Sequence, residues 1–176
     1  MRRLRLFVLA LALGLMSAVI FGWGFDQVTV RNSPEYFTLG HPIRPDWLPD
    51  PATHPTQVAL FWGFAATWWV GVGLGLVHGL VLVLFNPQAS ARDLLRRHGV
   101  FVGVLWLLSL LVFLAAPAFV DGRAFSESLA TQLTPDQLDR FAQNALTHSF
   151  GYLGAGVGAL LLYAYALWRG LRDRRA

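Results

Sequence analysis

The chain alternates between long uncharged apolar runs and polar connections. Leu6 to Trp23, Val58 to Phe85, Val100 to Val120 and Ser149 to Trp168 contain no Asp, Glu, Lys or Arg. A run of about 18 or more such residues crosses a hydrocarbon core of about 30 Å. In lipid the backbone must satisfy its own hydrogen bonds, so each run is a helix. The pattern predicts an all-α membrane protein: four transmembrane helices at about 6–23, 58–85, 100–120 and 149–168, arranged as two hairpins in a single domain over 1–176. The first run is longer than a signal-peptide core and ends in Gly22-Trp-Gly-Phe25 instead of a small-x-small cleavage site, which predicts an uncleaved helix.

The connections carry their own signals. In 24–57, Val28 and Val30 alternate with polar neighbours across Gln27 to Arg31, the pattern of a short strand or extended segment. The prolines from Pro42 to Pro55 predict a polyproline-like path beyond it. In 121–148, Thr134-Pro-Asp-Gln137 is a capping box with proline at the first helical position. It predicts an amphipathic helix leading into the fourth span, with Leu138, Phe141, Ala142, Ala145 and Leu146 on its apolar face and Gln143 and Asn144 elsewhere. Asn86-Pro87 ends the second span, and Ala89 to His98 form a short amphipathic helix with Leu94 and Leu95 toward lipid. Pro117 marks a boundary near the end of the third run.

Composition agrees with membrane insertion: 55% of the 176 residues are hydrophobic and 14% charged. The charge distribution sets the orientation. Arg2, Arg3, Arg5, Arg92, Arg96, Arg97, Arg169, Arg172, Arg174 and Arg175 flank the spans on one side. The opposite connections hold Arg31, Arg44, Arg123 and Arg140 against eight of the ten acidic residues. The positive-inside rule then places both termini of the multi-pass protein in the cytoplasm. The net charge of +4 follows the helix ends, which points to membrane lipid as a partner and away from nucleic acid. Without cysteine, disulfide exchange and thiolate metal sites are excluded; without lysine, so is Schiff-base chemistry on lysine.

Candidate chemistry is sparse. Gly71, Gly75 and Gly79, and likewise Gly154 and Gly158, form small-residue grooves that let helices approach closely. They are expected to pack the second span on the fourth, the alternative being a dimer interface or lipid groove. His78 lies inside the bundle, where an intramembrane ionisable group is a functional candidate by default. A bond to Ser109, Tyr163 or Tyr165 would make it structural. Haem ligation needs a second axial ligand, and His98 is the histidine able to approach, since His148 sits at the outer end. His41, Asp46, Asp50 and His54 form a loose set of metal-ligand types without a metal-site spacing, so no metal is assigned. No nucleophile turn surrounds Ser33, Ser126 or Ser128, and no catalytic residue or cofactor motif is identified. With His78 as the one ionisable group in the runs, ion-coupled transport is disfavoured.

Val28-Thr-Val-Arg-Asn-Ser-Pro-Glu-Tyr-Phe-Thr38 and Ala65-Ala-Thr-Trp-Trp-Val-Gly71 resemble segments of a group of uncharacterised small bacterial membrane proteins. In that group a Ser-Pro-Glu-Tyr-Phe segment follows the first helix and an Ala-Thr-Trp-Trp segment opens the second. The resemblance implies topology and a bacterial inner membrane, with no activity attached. It marks Ser33, Pro34, Glu35, Tyr36, Phe37 and His41 as an outer recognition segment; the plainer reading is a turn anchored by its rings. Trp62 and Phe64 are expected to pack beneath Tyr36 and Phe37, and Trp68 and Trp69 to sit in the interfacial belt. The expected function is a non-enzymatic interaction or assembly module engaging a partner protein, itself or lipid; the alternative is a membrane-embedded small-molecule or haem site around His78.

Overall fold

The computed structural model describes residues 1–41, 45–122 and 127–173. Pro42, Arg44, Arg123, Ser126, Arg174 and Arg175, which enter the sequence expectations, lie outside the described residues. Helix is the only regular element among those described: α1 (Arg2–Asn32), α2 (Pro34–Leu39), α3 (Pro55–Ala65), α4 (Trp68–Phe85), α5 (Ala91–Ala115), a 3-10 turn (Ala116–Ala118), α6 (Glu127–Ala130) and α7 (Pro135–Asp173). Among the described residues, four helical spans are long and apolar enough to cross a membrane: Arg2–Asn32, Pro55–Phe85, Ala91–Ala118 and Pro135–Asp173.

The helices overrun the apolar runs that announce them. Gln27 to Arg31 are not a strand; they continue α1. Phe25, Asp26, Thr29 and Val30 are its buried positions, a helical spacing that outweighs the brief alternation of Val28 and Val30. The proline-rich stretch is likewise not an extended path where it is described. Leu48 N–H donates to Pro45 O at 2.9 Å and His54 N–H to Asp50 O at 2.9 Å, while the Asp50 carboxylate accepts from Ala52 N–H at 2.7 Å, and these local bonds fold the chain into turns.

The second span breaks at Ala66–Thr67, where the Thr67 hydroxyl donates back to Gly63 O at 2.5 Å. The amphipathic stretch before the third span is no separate helix. Ser90 accepts from Asp93 N–H at 3.1 Å and α5 then runs on through the apolar run. Leu94 turns inward, packing with Leu6, Ala10, Leu82 and Ala166, while Leu95 is exposed; both had been expected toward lipid. At the far end Pro117 falls in the 3-10 turn that terminates the span.

The capping box forms: Thr134 N–H donates to Gln137 Oε1 at 3.0 Å and Gln137 N–H to Thr134 Oγ1 at 3.4 Å. From it α7 runs unbroken through the fourth apolar run. Leu138, Phe141 and Ala142 are buried as expected, but Gln143 and Asn144 are buried beside them because polar groups of α1 and α5 face them.

Gly71, Gly75 and Gly79 meet α1, not the fourth span. A Cβ on Gly75 would lie 2.8 Å from Leu11 Cα, one on Gly71 2.7 Å from Gly14 O, and one on Gly79 2.7 Å from the Phe7 ring. Together with Gly22 against Gly63, these pairs run in opposite chain directions, so α1 lies backbone to backbone along α3 and α4. Gly154 and Gly158 instead receive Leu105 and Phe101 of α5, again in opposite directions. Arg2 bonds the Gln88 side chain at 2.7 Å, and Asn86, Gln88 and Arg169 line one recess, so the segments bearing both chain ends lie at one end of the bundle. We call it the arginine end, and the opposite one the acidic end.

Candidate functional site: two buried polar clusters and an open groove

At the acidic end α1 and α7 exchange side-chain hydrogen bonds through a buried core. Asp26, only 4% exposed, points its carboxylate at His148 Nε2 over 3.6 Å, and that nitrogen lies 3.2 Å from Thr29 Oγ1. Asn144 donates to Thr29 O at 2.8 Å, Asn32 donates to both Gln143 Oε1 and Asn144 Oδ1, and Gln143 donates to Phe113 O at 2.6 Å. Buried polar groups are costly without such partners, and here the helices supply them to one another. Tyr36 stacks on His148 at 4.9 Å and His41 lies 3.9 Å from Trp62, closing a cavity of about 40 Å³ that Tyr152 also lines. Burial, then the neighbouring Tyr152 and Asp26, push the Tyr36 phenol well above its ordinary value. Burial pulls His41 below the usual histidine range, with its bond to Tyr36 O opposing.

The expected recognition segment is folded into this core. Ser33 and Phe37 are fully buried. Glu35 accepts from the Ser33 hydroxyl at 3.0 Å and from Gln137 Nε2 at 2.8 Å, and Pro34 opens α2. Thr38, Leu39 and Gly40 are what the segment leaves exposed. Of the two rings expected beneath it, Trp62 packs there, whereas Phe64 is 52% exposed beside Trp68. Trp68 and Trp69 are both exposed. His41, Asp46, Asp50 and His54 do not converge: His54 bonds Thr53, Asp50 caps its own turn and His41 lies on Trp62. No group of three or more metal-ligating side chains forms among the described residues.

In the bundle interior His78 finds a partner that the sequence places at the margin. His98 Nε2 lies 3.2 Å from His78 Nδ1, and His98 Nδ1 lies 3.3 Å from Ser17 Oγ. Two of the expected partners bond elsewhere and the third bonds nothing described. Tyr165 bonds Arg97, Tyr163 donates to Leu74 O at 2.8 Å, and Ser109 Oγ is buried without a hydrogen-bond partner among the described residues. The histidine pair borders a cavity of about 60 Å³ that Ser17, Phe101 and Tyr163 also line. These residues do not fit haem: the imidazole nitrogens face each other, and the space is far below the roughly 300–1,000 Å³ of a drug-sized ligand pocket.

His98 is the histidine that the sequence left able to approach His78, and it does so; the residues missed are those of the other cluster: Asp26, Thr29 and Asn32 on α1 and Gln143, Asn144 and His148 on α7. For those on α7 a signal was present. Gln143, Asn144, Thr147 and His148 repeat at one- and four-residue spacing, one stripe of a helix. Asp26, His98 and His148 lie just outside the uncharged runs but inside the longer helices that the structure forms, so buried ionisable groups accompany His78 in the bundle.

The third feature faces outward. Between α5 and α7 an open groove of about 720 Å³ is walled by Val100, Val104, Leu108, Leu153, Val157 and Leu161, with Gly154 and Gly158 in its lining. At the arginine end it meets Arg96, Arg97 and Tyr165, which also line a polar recess of about 470 Å³ with Asn86, Gln88, Ser90, Asp93 and Arg169. Arg97 pairs with Asp93 and lies over the Tyr165 ring at 3.8 Å.

No protein-family model, no curated protein and no solved structure matches the chain.

Proposed function

We propose that this protein is a non-enzymatic, multi-pass module of a bacterial inner membrane that engages a partner helix, a second copy of itself or lipid within the plane of the membrane. We read it as two antiparallel hairpins with the arginine end and both termini in the cytoplasm. The opposite chain directions of the Gly14–Gly71 and Leu105–Gly154 contacts support the hairpins. The arginine distribution supports the orientation.

The observation that carries the reading is the groove between α5 and α7. Gly71, Gly75 and Gly79 of α4 are covered by α1, whereas beside the contacts of Gly154 and Gly158 with Leu105 and Phe101 the α5–α7 face keeps about 720 Å³ open. That volume falls within the roughly 300–1,000 Å³ of small-molecule sites. The outer segment contributes less, because Ser33 and Phe37 are buried. Photo-cross-linking from Val104 in intact membranes tests the reading, with exposed Val8 of α1 as background. Capture from Val104 well above that from Val8 supports it, and equal capture refutes it.

A second reading, a small-molecule site around His78, is favoured by the run Ser17, His98, His78 beside an interior cavity. At about 60 Å³ it takes a species of a few atoms. Mass spectrometry of the purified protein tests this reading: a small retained mass that disappears in His78→Ala supports it, and none retained counts against it.

A further inference from the structure

We infer that the groove between α5 and α7 holds one anionic phospholipid, its acyl chain against Val104 and Val157 and its phosphate between Arg96 and Arg169. The inference rests on the proposal that this groove is engaged in the membrane plane, and names the occupant.

The shape calls for an amphiphile. The groove is apolar over most of its length and opens at one end onto a polar recess, and Arg96, Arg97 and Tyr165 line both. From Arg96 to Leu108 the lining covers roughly 18 Å along α5 at about 1.5 Å per residue. That exceeds half of a hydrocarbon core of about 30 Å. A molecule filling both spaces therefore has a tail in one leaflet and a head at its surface.

The charge selects the head. Two carboxylates line the recess beside three guanidiniums: Asp93, engaged by Arg97, and Asp173, which lies 3.8 Å from Arg172 outside it. Arg96 and Arg169, which face the same recess, have no ion pair among the described residues. Arg2 donates to the side chain and main chain of Gln88, a lining residue, at 2.7 and 2.9 Å, which holds a further guanidinium beside the recess. The surplus is positive, and guanidinium binds phosphate oxygens with directed charge-assisted bonds. A second copy of the chain is a poorer occupant. A symmetric dimer about an axis normal to the membrane would bring the same arginines together at one depth.

Native mass spectrometry of the full chain, released from nanodiscs of mixed phosphatidylglycerol and phosphatidylethanolamine, tests the assignment. Wild type is expected to retain phosphatidylglycerol in preference. An R96Q/R169Q double variant is expected to lose that preference by roughly thirtyfold, about fivefold per arginine near a membrane surface, while still retaining lipid. R92Q is the control for loss of one arginine on the same helix. V157W, at a membrane-exposed position that should not disturb folding, is expected to expel both lipids. Equal retention of the two lipids by wild type, or an unchanged preference in R96Q/R169Q, overturns the anionic assignment and leaves the groove reading standing. No lipid retained by wild type, with V157W indistinguishable, overturns the assignment; protein adducts from Val104 would then keep the groove for a helix, and their absence would remove both.

Discussion

Glu35 and Gln137, 102 residues apart, are joined by a 2.8 Å hydrogen bond from the Gln137 amide to the Glu35 carboxylate. Gln137 is also the reciprocal member of the capping box, so one side chain starts α7 and ties α2 to it. Glu35→Ala removes the acceptor of both Ser33 and Gln137, and Ser33 is buried. We expect a loss of about 1–2 kcal/mol, the usual cost of breaking bonds to a charged group. An unchanged melting curve in the detergent-solubilised protein would show that the latch carries no stability.

The glycines make unequal predictions. Gly75→Leu forces a side chain into a site where even a Cβ lies 2.8 Å from Leu11 Cα, which should cost about 3 kcal/mol or more. Gly73, two positions away, has nothing within 4 Å of its would-be Cβ, so Gly73→Ala should be neutral or stabilising by up to about 1 kcal/mol. Thermal unfolding of the pair reads this contrast, and equal losses would contradict the backbone-to-backbone packing of α1 on α4.

His78 and His98 should behave as a unit. His98→Leu leaves His78 Nδ1 and Ser17 Oγ without their observed partner, at a cost of about 1–3 kcal/mol. Replacing both histidines by leucine removes donor and acceptor together and should recover part of that loss. A double-mutant cycle measures the coupling, and strict additivity would mean that the 3.2 Å contact does not contribute.

The acidic end should weaken in acid. Burial lowers the His41 pKa on folding, so below the unfolded value of about 6.5 the unfolded chain binds more protons than the folded one. The neutral His41 contribution is then complete above that value and is lost as pH falls below it. Comparing melting temperatures from pH 8 to pH 5, His41→Gln should show a shallower decline than wild type. Parallel declines would remove His41 as the cause.

How much of this was legible in the sequence follows the physics of each signal. Uncharged runs of membrane length reveal spans because lipid penalises any interruption, and the capping box reveals the start of α7 because its bonds are local. Asp26 and His148 were not legible as partners, since each lies just beyond an apolar run, where polarity reads as loop. Their pairing depends on how far α1 and α7 extend past the runs. Leu94 failed for a related reason. A periodic pattern fixes which residues share a face, but not whether lipid or a neighbouring helix covers that face. The glycine stripes showed close packing without naming the partner, and α1 took the place expected of the fourth span.

The central claim is that the α5–α7 face engages a ligand in the membrane plane. A photo-cross-linking scan through Val100, Val104, Leu108, Val157 and Leu161 in intact membranes, with Val8 and Met16 of α1 as outward-facing controls, tests it most directly. The account predicts adducts concentrated on the groove positions, of lipid mass and shifted toward the arginine-end positions for the head group. Uniform labelling across both sets, or adducts confined to the α1 controls, would contradict it.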